Sequence, residues 1–68
     1  MNKFEFEAAA QAAVETVTKG KASFYAGTLF VECDSRQAAK IQTALIEALK
    51  CGVIMCKIGN EAAFDFVK

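Results

Sequence analysis

The chain contains no histidine, no proline and no tryptophan. Without imidazole it lacks the usual general base near neutral pH, the Ser–His and Cys–His nucleophile pairs, and the commonest ligand of zinc and haem. Without proline, and with no internal repeat or low-complexity stretch, it offers no linker, so residues 1–68 are expected to form a single domain. Net charge is absent too, because eight basic and eight acidic residues cancel, and no run of like charge exceeds two residues. Phosphate neutralisation dominates nucleic-acid affinity, so a neutral chain binds polyanions only if it segregates its charges.

Long apolar runs are missing as well. No window approaches the roughly 18 apolar residues of a membrane span. The segment Met1-Asn2-Lys3-Phe4-Glu5-Phe6-Glu7 carries acids where a signal peptide would be apolar, which gives the expectation of a cytoplasmic protein with no membrane partner. In that compartment the three cysteines, Cys33, Cys51 and Cys56, are expected to stay reduced. The four glycines at 20, 27, 52 and 59 are too dispersed for a phosphate-cradling loop, and Lys19-Gly20-Lys21 lacks the required Ser or Thr.

What remains is a chain that is 54% hydrophobic. Disorder is excluded by that fraction, although a chain this short buries only about 60% of its unfolded surface and is marginal by itself. Its weight lies in six phenylalanines, Tyr25 and the Ile, Leu and Val set.

The first helix is expected from Lys3 to Lys19. Phe6, Ala10, Ala13, Val14 and Val17 share one face, Asn2 is placed to cap it, and Gly20 follows as a stop. Lys3–Glu7 also alternates like a strand. On the helix Phe4 falls off the apolar stripe, either packed under a loop or part of a contact surface. Ala22–Cys33 is aromatic and β-branched and reads as strand, interrupted at Gly27 by a bulge or by a tight hairpin at Ala26-Gly27. A second helix runs from about Ser35 to Lys50, with Ala38, Ile41, Leu45, Ala48 and Leu49 in a narrow arc, Ile46 at its edge and Gly52 as its C-terminal glycine. The tail, Val53–Ile58 then Gly59-Asn60 then Glu61–Val67, is a hairpin. A two-residue turn pairs Ile58 with Glu61 and leaves a second, largely apolar face of Ile54, Cys56, Ile58, Ala63 and Asp65. A three-residue loop instead places Ile54, Cys56 and Ile58 with Phe64 and Phe66 and needs no partner.

The fold class that follows is α+β, with two helices packed on one face of a small three- or four-stranded antiparallel sheet in the order α-β(β)-α-β-β. An open apolar face on so short a chain is an association surface, so a homodimer is expected.

Chemistry is sparse. Three thiols do not complete a tetrahedral zinc site, and neither metal nor cofactor is expected. Cys33 precedes the second helix, where N–H groups lower a thiol's pKa, but the strand pattern buries it with Leu29 and Val31. Glu5 with Glu7 and Glu61 with Asp65 read as solvated edges. The expectation is therefore a non-enzymatic protein-binding module, an accessory regulator or inhibitor of a larger protein of the phage or mobile-element kind. Its contact residues are expected among Phe4, Ile46, Ile54, Cys56 and Ile58. The alternative is a nucleic-acid-binding module using Lys19, Lys21, Arg36 and Lys40 beside Phe24 and Tyr25, as in folds that stack bases on a sheet. A third possibility is a reactive thiol at Cys33.

Overall fold

The computed structural model describes residues 2–67. Asn2 accepts a hydrogen bond from the Glu5 N–H at 2.8 Å and opens helix α1, Lys3–Glu15. The helical reading of Lys3–Glu7 holds. Ala10, Ala13 and Val14 are buried, with Val17 packed beside them. The helix stops at Glu15, short of the expected end at Lys19. Three consecutive β-branched residues, Thr16, Val17 and Thr18, favour an earlier end. The Thr16 hydroxyl donates to the Ala13 carbonyl at 2.6 Å, and the Val17 and Thr18 N–H groups both reach the Val14 carbonyl. Gly20 is thus not a helix stop. It lets the chain pass against the next hairpin, where a Cβ would stand 2.3 Å from the Glu32 carbonyl oxygen.

Strands β1, Ala22–Tyr25, and β2, Thr28–Glu32, form a hairpin with Tyr25 paired to Thr28. Ala26 and Gly27 both take positive φ, 51° and 83°, as a type I′ turn requires. The interruption is therefore a turn and not a bulge. Helix α2, Ser35–Leu49, begins with a capping box: Asp34 accepts from the Gln37 N–H at 2.8 Å, while the Gln37 side chain accepts from the Asp34 N–H at 3.2 Å. Ala38, Ile41 and Leu45 are fully buried and Leu49 half-buried. Ala48, expected in the stripe, is exposed, because no element covers that side of the last turn. Lys50, at φ 55°, supplies the left-handed C-cap expected of Gly52, which instead opens β3.

Strands β3, Gly52–Ile58, and β4, Glu61–Val67, pair with Ile58 opposite Glu61, so the turn is the two-residue Gly59-Asn60. Gly59 is at φ 57°, the first position of a type II′ turn. The three-residue register is excluded. β4 lies between β2 and β3, giving an all-antiparallel sheet in the order β1-β2-β4-β3. Both helices cover one face: α2 packs on β3 and on α1, and α1 reaches β1. Phe64, on central β4, is the largest fully buried side chain and shares one core cluster with Leu29, Ile41, Leu45, Val14 and Val31. No helix among the described residues is long and apolar enough to cross a membrane.

Candidate functional site

The hairpin register decides which residues remain outside. Val53, Met55, Ala62, Phe64 and Phe66 face the helices and form or adjoin the core. The alternate residues face away from the helices, and among the described residues no element packs over them: Gly52, Ile54, Cys56 and Ile58 on β3, and Glu61, Asp65, Val67 and Ala63 on β4, the last buried among its strand neighbours. Beyond them come Thr28, Phe30 and Glu32 on β2, then Ser23 and Tyr25 on β1. Phe30, Ala63 and Cys56 form one cross-strand row. Ile54 and Ile58, 57% and 59% exposed, flank that row on the edge strand. Apolar surface is therefore concentrated on the β3 half of the open face.

The polar residues there have one sign. Glu32, Glu61 and Asp65 lie on the open face, and none of its strand positions is Lys or Arg. Asp65 accepts a 2.5 Å hydrogen bond from the Thr28 hydroxyl, which fixes one carboxylate beside the apolar row. Lys57, the only charged residue of β3, faces the helix side, and its ammonium donates to the Gly59 carbonyl within its own hairpin.

Of the five expected contact residues, four share one flank. Gln42 on α2 donates to the Val53 carbonyl at 2.7 Å. Ile46 is one helical turn further along the same side of α2 and is 42% exposed, so it overhangs the β3 edge beside Cys51 and Gly52. Ile46, Ile54, Cys56 and Ile58 thus line the β3 flank. Phe4 stands apart. It is 85% exposed on α1 against only Glu7, Ala8 and Gln11, and it does not pack under a loop.

The alternative constellation is divided by the fold. Phe24 faces the helices and joins a cluster with Phe6 and Phe66 at centroid separations of 6.4 and 6.2 Å, whereas Tyr25 points from the open face. They offer no common stacking platform. Lys19 and Lys21 flank Gly20, which packs against the Glu32 backbone at the end of β2.

The thiols do not converge either. Cys33 is buried on the helix side, Cys56 exposed on the open face, and Cys51 lies between α2 and β3. Burial pushes the Cys33 thiol above its ordinary pKa and Asp34 adds to this, outweighing the opposing pull of Lys57. Among the described residues no group of three or more metal-ligating side chains gathers. Glu61 and Asp65 share a face but stand about 13 Å apart along β4, too far for an acid/base couple.

One feature was invisible to periodicity. Phe6, Phe24 and Phe66, from three different elements, line a cleft of about 390 Å³ with Asn2, Lys3, Glu7 and Gly27. Their ring contacts, as close as 5.0 Å between Phe6 and Phe66, close one end of the core.

Fold and surface together define a two-helix, four-stranded antiparallel domain with one uncovered sheet face. No known protein family, curated protein or solved structure matches the chain.

Proposed function

We propose that this protein is a non-enzymatic protein-binding module that acts through the β3 flank of its open sheet face, as a small regulator or inhibitor of a larger protein. The observation that carries this reading is the exposure of Ile54 and Ile58, 57% and 59%, on either side of Cys56 on an edge strand of seven residues. Fully burying an isoleucine is worth about 1.5–3 kcal/mol, so covering the exposed part of each contributes about 1–1.5 kcal/mol to a complex. Glu32, Glu61 and Asp65 beside this band favour partners whose apolar contact is rimmed by Lys or Arg.

A photo-crosslinking residue at position 58, compared in cells with the same residue at position 15 on solvent-facing α1, tests the reading. A discrete protein adduct at 58 and none at 15 is the expected outcome. Equal, diffuse labelling at both positions, or nucleic-acid adducts, would overturn it.

A further inference from the structure

The free backbone groups of β3 are specific enough to indicate how it would pair. In the two-residue turn, Ile58 and Glu61 share the turn hydrogen bond, and bonded and non-bonded pairs alternate from there. Ile58, Cys56 and Ile54 therefore direct their N–H and C=O groups to β4. Val53, Met55 and Lys57 direct theirs to the open edge. The Val53 carbonyl is already occupied by the Gln42 side chain, which leaves Met55 and Lys57 as the two residues with both groups free.

We infer that this edge takes a second copy of the chain, β3 against β3 in antiparallel register about a two-fold axis at Cys56. The inference rests on the reading of the β3 flank as a protein-contact surface and adds a second copy at its backbone edge, leaving the open face to the larger protein. Three candidate centres can be compared. A centre at Met55 pairs Lys57 with Val53, whose carbonyl is blocked. A centre at Lys57 sets two ammonium-bearing residues directly opposite each other, which destabilises a strand pair. A centre at Cys56 pairs Met55 with Lys57 of the second copy twice over, using both groups of each residue and leaving the Val53 N–H opposite the turn at Gly59. It also puts Ile54 opposite Ile58 and Cys56 opposite Cys56 on the open face. Both pairs are non-hydrogen-bonded, where Cα atoms approach to about 4.5 Å and side chains touch closely.

Charge argues for the edge over face-to-face stacking. Stacked faces would bring together three carboxylates from each copy, Glu32, Glu61 and Asp65, without a base. The edge strand carries one charge, Lys57, tethered to its own turn, and the chain as a whole is neutral. Area sets the strength. A centre at Cys56 overlaps Ile54–Ile58, which span about 17 Å, and with a layer about 10 Å deep the edge offers about 170 Å² per copy. A standard interface covers about 800 Å² per partner, so the dimer is weak and reversible, with Ile46 on α2 at its rim beside Gly52.

The register is tested by thiol crosslinking. With oxidised glutathione as oxidant, the two Cys56 sulfurs form one disulfide, the glutathione disulfide breaks, and two glutathione thiols leave carrying the two protons. The expected product is a covalent dimer through Cys56 that Cys56→Ala abolishes. In a Cys51→Ser, Cys56→Ala background, a tagged Ile54→Cys chain mixed with an Ile58→Cys chain should yield the mixed dimer in preference to either homodimer. Random pairing, or no dimer faster than the unfolded chain forms one, would overturn the register. If position 58 still crosslinks a different protein in cells, the binding-surface reading survives this failure. If it does not, both fall.

Discussion

Lys50 and Ala26 hold left-handed backbone, φ 55° and 51°, with side chains that disfavour it. A Cβ in that region costs roughly 1 kcal/mol, so Lys50→Gly and Ala26→Asn, the latter creating Asn-Gly in a type I′ turn, should each raise stability by about 0.5–1 kcal/mol. Urea unfolding measures both, and no gain from either would show that the turns are held by something other than local conformation. Cys33 makes a second prediction at this scale. Its buried thiol is held above its ordinary pKa, so the folded state keeps a proton that the unfolded state releases. Stability should therefore be intact below the unfolded thiol's value of 9.0 and fall as pH rises beyond it, and Cys33→Val should flatten that decline. Alkylation should accordingly be fast at Cys56 and slow at Cys33 until the chain unfolds. These positions differ in how far the sequence revealed them. The alternation of Leu29, Val31 and Cys33 was enough to bury the thiol, whereas a left-handed Lys50 leaves no trace in a sequence that offers Gly52 two residues on.

At the scale of elements, capping and periodicity located both helices, and turn chemistry located the Gly59-Asn60 hairpin while leaving a bulge or a hairpin open at Ala26-Gly27. They failed where a neighbour decides. α1 ends at Glu15 because Thr16, Val17 and Thr18 turn the chain toward β2, and Gly20 is required by a backbone contact with Glu32 that no local pattern encodes. Gly20→Ala should cost about 2 kcal/mol or more, since the obstructing atom is main chain that moves only with the strand; thermal unfolding gives the measure. The hairpin at Gly59-Asn60 illustrates a conflict between two signals. Binary patterning favoured a register with Ile54, Cys56 and Ile58 on the same face as Phe64 and Phe66, turn chemistry favoured a two-residue loop, and the loop prevailed. Its consequence is the exposed β3 flank. Strand order was not legible at all, because β4 pairs with β2 across about thirty residues of sequence.

For the whole molecule, so few large side chains form the core that each one matters. Phe64→Ala removes the central ring, a change worth about 3–5 kcal/mol, against the roughly 3–5 kcal/mol that a core of this size supplies. The variant should be unfolded by circular dichroism at ordinary temperature, and a folded variant would mean that the Phe6, Phe24 and Phe66 cluster carries more of the stability than Phe64 does. A molecule with so thin a margin nevertheless leaves Ile46, Ile54 and Ile58 exposed on one flank, and association there would stabilise the fold as well as serve recognition. A second copy of the chain pairs at the edge of that flank. Backbone amide spectra of the reduced chain, recorded over a concentration series at two salt concentrations, test it most directly. Concentration-dependent shifts are expected only at Ile46 and Val53–Ile58, largest at the Met55 and Lys57 amides and little changed by salt. Spectra that do not change with concentration, or shifts centred on Lys19, Lys21, Arg36 and Lys40, would contradict it.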